Sequence, residues 1–239
     1  MTADFFPPLD LLCEDGPVLA VNKPAGLLTQ GVPHGIPTLE AQVRAYIKEK
    51  YQKPGNVYLG IPHRLDRPVS GVIVFARNSK AAARLAEQFE KRQVRKVYWA
   101  ILERPLETEI GELTDAILKH RDTARAEIVP ADTPGARLCT LRYCTLATLP
   151  TGTLVEVELG TGRMHQIRAQ FASRGSPVVG DTKYGATMPL PRPDIIDPHF
   201  EQIALHAREL TILHPVRYDP LTLTAPLPAT WPTIASAPE

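Results

Sequence analysis

The run VIVFA at residues 72–76 constrains the fold more than any other feature of this chain. Apolar side chains in succession, without polar alternation, suit a strand covered on both faces. Directly ahead of it stands HRLDRPVSG, residues 63–71, which places one carboxylate, Asp66, between Arg64 and Arg67 where a loop enters that buried strand. A carboxylate flanked by cations stays ionised, and an ionised, partly desolvated carboxylate can act as a nucleophile. Arg64 and Arg67 add donors suited to phosphate oxygens. The plainer alternative is an Asx-turn residue or the acidic partner of a surface arginine, and spacing alone favours it.

Around this strand the chain reads as α+β. A short strand at residues 11–19 precedes a turn at Pro24, Ala25 and Gly26. Thr38 can cap a helix running to about Lys50, with Leu39, Val43, Tyr46 and Ile47 on one face and Pro54 and Gly55 beyond its end. Ser79 reads as the cap of a second helix, in which Ala82, Leu85, Ala86 and Phe89 recur at helical spacing. Residues 94–102, 125–129, 138–147, 153–159, 203–213 and 221–225 carry strand chemistry broken by Pro and Gly. A short helix from about Met164 to Ser173 ends at Gly175. Strands outnumber helices without alternating strictly with them. A mixed, mostly antiparallel sheet flanked by helices and loops is therefore expected. No linker long enough to separate domains is visible, so residues 1–239 read as one domain with its core at about 11–230 and tails at 1–10 and 231–239.

Net charge is +1, which neither demands nor excludes a polyanionic partner. Two local runs are basic, KRQVRK at residues 91–96 and KHRDTAR at 119–125; either alone reads as a solvated face. The 24 prolines cluster near the ends and in MPLPRPDIIDP, residues 188–198, as stiff loops and tails. The three cysteines, Cys13, Cys139 and Cys144, lack metal-ligand spacing and read as free thiols of a reduced compartment. No apolar run approaches the ~20 residues of a membrane span. The N-terminus MTADFFPPLD has no export-signal pattern, so a cytoplasmic protein is expected.

Phosphate-cradling GxxxxGK, GxGxxG, HExxH, CxxC and GxSxG motifs are all missing, which argues against the commonest nucleotide, hydride, zinc and serine-hydrolase chemistries. A second cluster is GTGRMHQIR, residues 160–168. A helix beginning near Met164 would offer free backbone N–H groups to an anion, and His165 and Arg168, three apart, would share a face. His165 by itself reads as a structural histidine. Arg168 lies between the apolar residues Ile167 and Phe171, and an arginine in such company usually has a carboxylate partner. In KVYWA, strand alternation puts Tyr98 on one face with Lys96, and Val97 with Trp99 on the other. A phenol so placed is a core tyrosine or one that stacks on a flat substrate and moves a proton.

Taken together, NKPAGLL (22–28), HRLDRPVSGVIVFA (63–76), RKVYWA (95–100), TGRMHQIR (161–168), GDTKYG (180–185) and ALHARELTILHP (204–215) resemble the RluA-type family of pseudouridine synthases, which isomerise uridine within RNA. The resemblance spans nearly the whole chain. It implies the family's catalytic fold with a central active-site cleft, a catalytic role for Asp66, and an active-site tyrosine at Tyr98 that stacks on the base and takes part in proton transfer. It further implies that Arg168 pairs with the aspartate and that Arg64 helps flip the target nucleotide. His63, Arg67, Lys96, Arg163, His165, Gln166 and Ile167, from the same motifs, are the remaining candidates for RNA contact. No metal and no cofactor is implied. The implied partner is structured RNA, ribosomal or transfer, with no obligate protein partner and a monomer expected. Val69 stands where the family usually has Thr, Gln170 and Phe171 where a histidine is common nearby, and the family's frequent N-terminal S4 module is not expected here.

Two other readings compete. An RNA chaperone could keep the fold without catalysis, although the complete Asp66, Tyr98 and Arg168 set speaks against it. A glycosidase-like enzyme would want a second carboxylate across from Asp66, and the sequence nominates none.

Overall fold

The computed structural model describes residues 8–31, 36–190 and 201–232. The chain forms two compact units, each assembled from distant stretches of sequence. The described part of residues 188–198 ends at 190, so most of that proline-rich stretch lies outside the described residues, as do most of both expected tails.

The first unit comprises the sequence up to Lys96 together with Ala207–Pro228. Strand β1 (Leu11–Asp15) and β2 (Val18–Lys23) form an antiparallel hairpin turning at Gly16 and Pro17, where one strand was expected. β2 pairs antiparallel with β3 (Ser70–Ala76), every residue of which is buried, as the unbroken apolar run requires. Helix α1 (Leu39–Lys50) is capped by Thr38, whose hydroxyl accepts from the Ala41 N–H at 3.2 Å. It lays Leu39, Val43 and Ile47 onto Leu19, Val21, Ile73 and Phe75. Helix α2 (Ser79–Glu90) starts one residue earlier than expected, because the Asn78 side chain, not that of Ser79, accepts from the Ala81 N–H at 2.9 Å. Its buried Gln88 fastens Leu213 through both backbone groups. Beyond β3 lies β9 (Leu205–Leu213), paired in turn with β10 (Pro220–Thr224). The backbone of Ala207 explains the SG of the loop motif. A Cβ at Gly71, which also holds φ at +116°, would stand 2.3 Å from the Ala207 carbonyl oxygen.

The second unit takes up the chain from Val97 and also includes Ile203–His206. Its ladder runs β4 (Arg95–Leu102), β8 (Gly152–Leu159), β7 (Arg137–Leu149), β5 (Ile110–His120) and β6 (Arg125–Val129), with antiparallel neighbours throughout. β5 was not expected. Its Glu112, Asp115 and Lys119 mask strand chemistry, and it is held by backbone ladders on both sides rather than by apolar propensity. Helix α3 (Gln166–Ala172) packs over β5 and β6 and places Ala169 in a core with Ile117, Ala126, Cys139 and Tyr184. It begins two residues later than expected, since His165 sits in the left-handed region at φ 53°, ψ 24°. A single 3-10 turn, Thr182–Tyr184, follows.

The three cysteines are free, and burial raises each thiol, that of Cys139 to about 11. Among the described residues no helix is long and apolar enough to cross a membrane.

Candidate active site

In the first unit Asp66 stands on a tight turn closed by the Val69 N–H on its own carbonyl at 3.1 Å. Both flanks are clamped. The hydroxyl of buried Thr29 donates to the Leu65 carbonyl at 2.9 Å and accepts from its N–H at 3.3 Å. On the other side the Gly26 N–H donates to the Arg67 carbonyl at 2.8 Å, and Arg67 Nε returns a bond to the Gly26 carbonyl at 2.9 Å. Beneath them lies Lys23, 0% exposed, whose Nζ donates to the carbonyls of Pro24, Leu27 and Arg67 at 2.9, 2.7 and 3.1 Å. Burial pushes the Lys23 amine down to about 7, opposed by the pull of the Asp66 carboxylate and reinforced by Arg67. Three acceptors around three N–H donors fit the protonated form.

The other candidates of this unit divide. Arg64 is exposed. Arg67 is turned inward at Nε, so it fastens the loop before it can serve a phosphate. His63, a candidate RNA contact, is half-buried with its ring engaged by the protein. Its ring stacks on Phe89 at 4.5 Å and 16°, and Nε2 accepts from the Val74 N–H at 3.0 Å, which places the ring proton on Nδ1. Burial, helped by the nearby Lys96 charge, pushes His63 down to about 3. Lys96 is half-buried, its amine lowered by desolvation and then by Arg92.

In the second unit Arg168 is 4% exposed and makes a bidentate pair with Asp181, Nε to Oδ2 at 2.6 Å and Nη2 to Oδ1 at 2.8 Å. The carboxylate partner that its apolar neighbours demanded is therefore present thirteen positions on, inside GDTKYG, a motif to which sequence reasoning gave no role. The guanidinium lies 5.0 Å from the Tyr184 ring centroid. The Tyr184 hydroxyl accepts from the Ala126 N–H at 2.9 Å and donates to its carbonyl at 3.1 Å, leaving His165 Nδ1, 2.9 Å away, to donate to it. His165 and Arg168 thus converge on one ring, although His165 precedes the helix. Burial raises the Tyr184 phenol.

At the start of α3, where an anion seat was expected, the Gln166 N–H already donates to the Arg163 carbonyl at 3.2 Å. Gln166 Oε1 takes the Arg163 N–H at 3.1 Å and the Thr161 hydroxyl at 2.7 Å, closing the turn from within. Gln166 Nε2 continues to the Thr140 carbonyl and to Gln170, and Gln170 to Asp115, which also pairs with Arg174. Gln166 and Ile167 are 3% and 4% exposed, and they shape the segment that holds Arg168. Tyr98 is half-buried on β4, alternating with buried Val97 and Trp99 as expected. Arg163 is half-buried and donates from Nε to the Leu138 carbonyl.

With this geometry in hand, comparison with known proteins is specific. Residues 17–173 match the family described as RNA pseudouridylate synthase. The chain is 38% identical over 230 residues to the ribosomal large subunit pseudouridine synthase D of Xylella fastidiosa, covering 92% of this chain and 66% of that protein, so it spans just under two thirds of that relative. It is 34% identical to the dual-specificity RNA pseudouridine synthase RluA of Haemophilus influenzae, over 92% of this chain and 93% of the relative. Among solved structures, human RNA pseudouridylate synthase domain containing 4 superposes with a TM-score of 0.73 at 25% identity, over 92% of this chain and 89% of that one.

Proposed function

The chain belongs to the RluA-type RNA pseudouridine synthases, and from that premise we propose that it isomerises uridine to pseudouridine in structured RNA, ribosomal or transfer, with Asp66 as the reacting carboxylate and Tyr98 and Arg168 as its catalytic partners. The chemistry conserves every atom of the substrate. The bond from uracil N1 to ribose C1′ breaks, the held base turns, C5 bonds to C1′, the C5 proton departs and N1 is left protonated. No electron is gained or lost and no water is consumed, so the reaction itself asks for neither metal nor organic cofactor.

The observation that carries this reading is the rigid turn beneath Asp66. Thr29, Gly26 and Lys23 fix the backbone on both sides of one carboxylate, the kind of positioning that covalent chemistry at a single group needs. Tyr98 supplies a phenol that can stack on the turned base and relay its C5 proton, passing its own hydroxyl proton to solvent as it takes that one up. Arg168, locked by Asp181 and Tyr184, supplies a positive charge that does not wander. A stacked uridine must be extruded first, at a cost of a few kcal/mol, and exposed Arg64 is suited to occupy the space it leaves. The two units act as one catalytic domain of a cytoplasmic monomer in this account.

Mapping pseudouridine across total RNA from cells with and without the gene tests it. The account expects at least one site to vanish with the gene and return with the wild-type copy. Identical maps would reject it.

A further inference from the structure

The basic run at residues 119–125, which the sequence alone makes a solvated face, borders a cavity of about 400 Å³ in the second unit. Strand geometry explains how. Ile117 and Lys119 share a face of β5, Ala126 pairs with Lys119 across β6, and Arg137 pairs with Ile117 across β7, so all four side chains point to one side. Arg121 follows in the β5–β6 turn, and Arg163 closes the cavity from the segment before α3. Lys119, Arg121, Arg137 and Arg163 therefore line one concavity, floored by Ile117 and Met164, and no carboxylate lines it.

Two of the acids on the neighbouring strand positions are turned away or already matched. Glu127 lies on the opposite face of β6, paired with His120 at 3.0 Å, and Asp115 is held by Arg174 and Gln170. Among the described residues Lys119, Arg121 and Arg137 have no carboxylate within ion-pair distance, and the hydrogen bond of Arg163 goes to the Leu138 carbonyl. The rim is also held in place. Lys183 Nζ donates to the carbonyls of Thr123 and Ala124 at 3.3 and 2.9 Å, tying down the turn that carries Arg121. Four like charges gathered without an internal counter-charge repel one another unless an anion joins them. The cavity exceeds the size of a lone phosphate, and its apolar floor suits a ribose or base attached to one.

We propose that this cavity is a substrate-RNA subsite: it grips successive backbone phosphates with Lys119, Arg121, Arg137 and Arg163 and rests the nucleoside between them on Ile117 and Met164. The proposal builds on the RNA-modifying role above and adds a determinant of affinity apart from Asp66.

The test uses the full chain and an RNA that it modifies, measuring binding across a salt series together with KM and kcat. Lys119→Gln, Arg121→Gln and Arg137→Gln are combined, all three residues being exposed and Arg163 being left to its structural bond. A matched control carries Lys48→Gln, Lys80→Gln and Arg104→Gln, also exposed. Each lost phosphate contact lowers the steepness of log K against log salt by about 0.7–0.9. The pocket variant is expected to lose roughly 2 in that slope and at least about tenfold in affinity at low salt, with KM raised and kcat at saturating RNA retained. The control should change little. Equal losses in both variants, or an unchanged slope in the pocket variant, overturn the subsite while leaving the catalytic reading intact. Uridine monophosphate binding the wild type as tightly as the RNA does would also overturn it, in favour of a small-nucleotide site. Should the triple variant fail to fold, Arg121→Gln alone must still lower the slope by about 0.8. A wild-type chain that makes no pseudouridine in any RNA yet binds RNA through this pocket would reject the proposed function and spare the subsite.

Discussion

Lys23 and Arg168 are both cations shut inside the protein, one in each unit, and they are neutralised in opposite ways. Lys23 is surrounded by neutral carbonyls and feels the Asp66 charge only as a field. Arg168 spends two nitrogens on a full carboxylate and lays its plane against an aromatic ring. The difference follows from what each holds. Lys23 grips backbone, so its work is to shape the loop that presents Asp66. Arg168 is itself the group to be presented, and a guanidinium has donors enough to be anchored and remain a charge for other groups to feel.

Breaking the second arrangement should have the largest effect. Asp181→Asn removes the carboxylate that Arg168 grips with two nitrogens, at an expected cost of about 3–5 kcal/mol in urea unfolding, with pseudouridine formation lost. Replacing the pair together, Arg168→Met with Asp181→Leu, should recover most of that stability without recovering activity. If Asp181→Asn unfolds like the wild type, the ion pair does not hold the site. Lys23→Met removes the donor from three carbonyls at once and should cost about 3 kcal/mol. Its activity loss should appear mainly in kcat, because the turn under Asp66 loosens; a variant as stable and as active as wild type would mean that Thr29 and Gly26 suffice.

A pH arm sharpens the picture of the first unit. His63 is neutral inside the protein and ordinary when unfolded, so the unfolded chain binds the extra proton between about 6.5 and about 3. Its contribution is complete above 6.5 and drains away as pH falls through that window. Between pH 6.5 and 4.5 the loss is expected to be about 2 kcal/mol. His63→Gln, which keeps an acceptor for Val74 and cannot titrate, should show a shallower acid slope; equal slopes would mean that His63 is not the responsible group. Smallest in effect, Thr29→Val should cost about 1 kcal/mol for its two bonds to Leu65 and lower kcat more than it alters KM. An unchanged kcat would show that the clamp on Leu65 is dispensable.

Much of this was readable in advance wherever local chemistry decides the outcome. The buried β3 follows from its apolar run and α1 from Thr38 and its repeating face, while the need of Arg168 for a carboxylate follows from its neighbours. What escaped was set by tertiary contact. β5 hides behind charged residues because two ladders, not propensity, make it a strand. Asp181 has no local signal of its own, and the turn at Thr182–Tyr184 is what brings its carboxylate to Arg168. Lys23 is indistinguishable in sequence from a surface lysine, Gln166 and Ile167 are buried, and half-buried His63 spends a ring nitrogen on the Val74 N–H. Polar side chains in a motif can serve the fold that bears the site as readily as the substrate.

Asp66→Asn tests the central claim most directly, because it removes a charge and a nucleophile while preserving shape. The purified variant should match wild type in circular dichroism, in melting and in affinity for a substrate RNA, and should form no pseudouridine over many wild-type turnover times. Pseudouridine appearing at the wild-type rate from a well-folded Asp66→Asn protein would contradict the account.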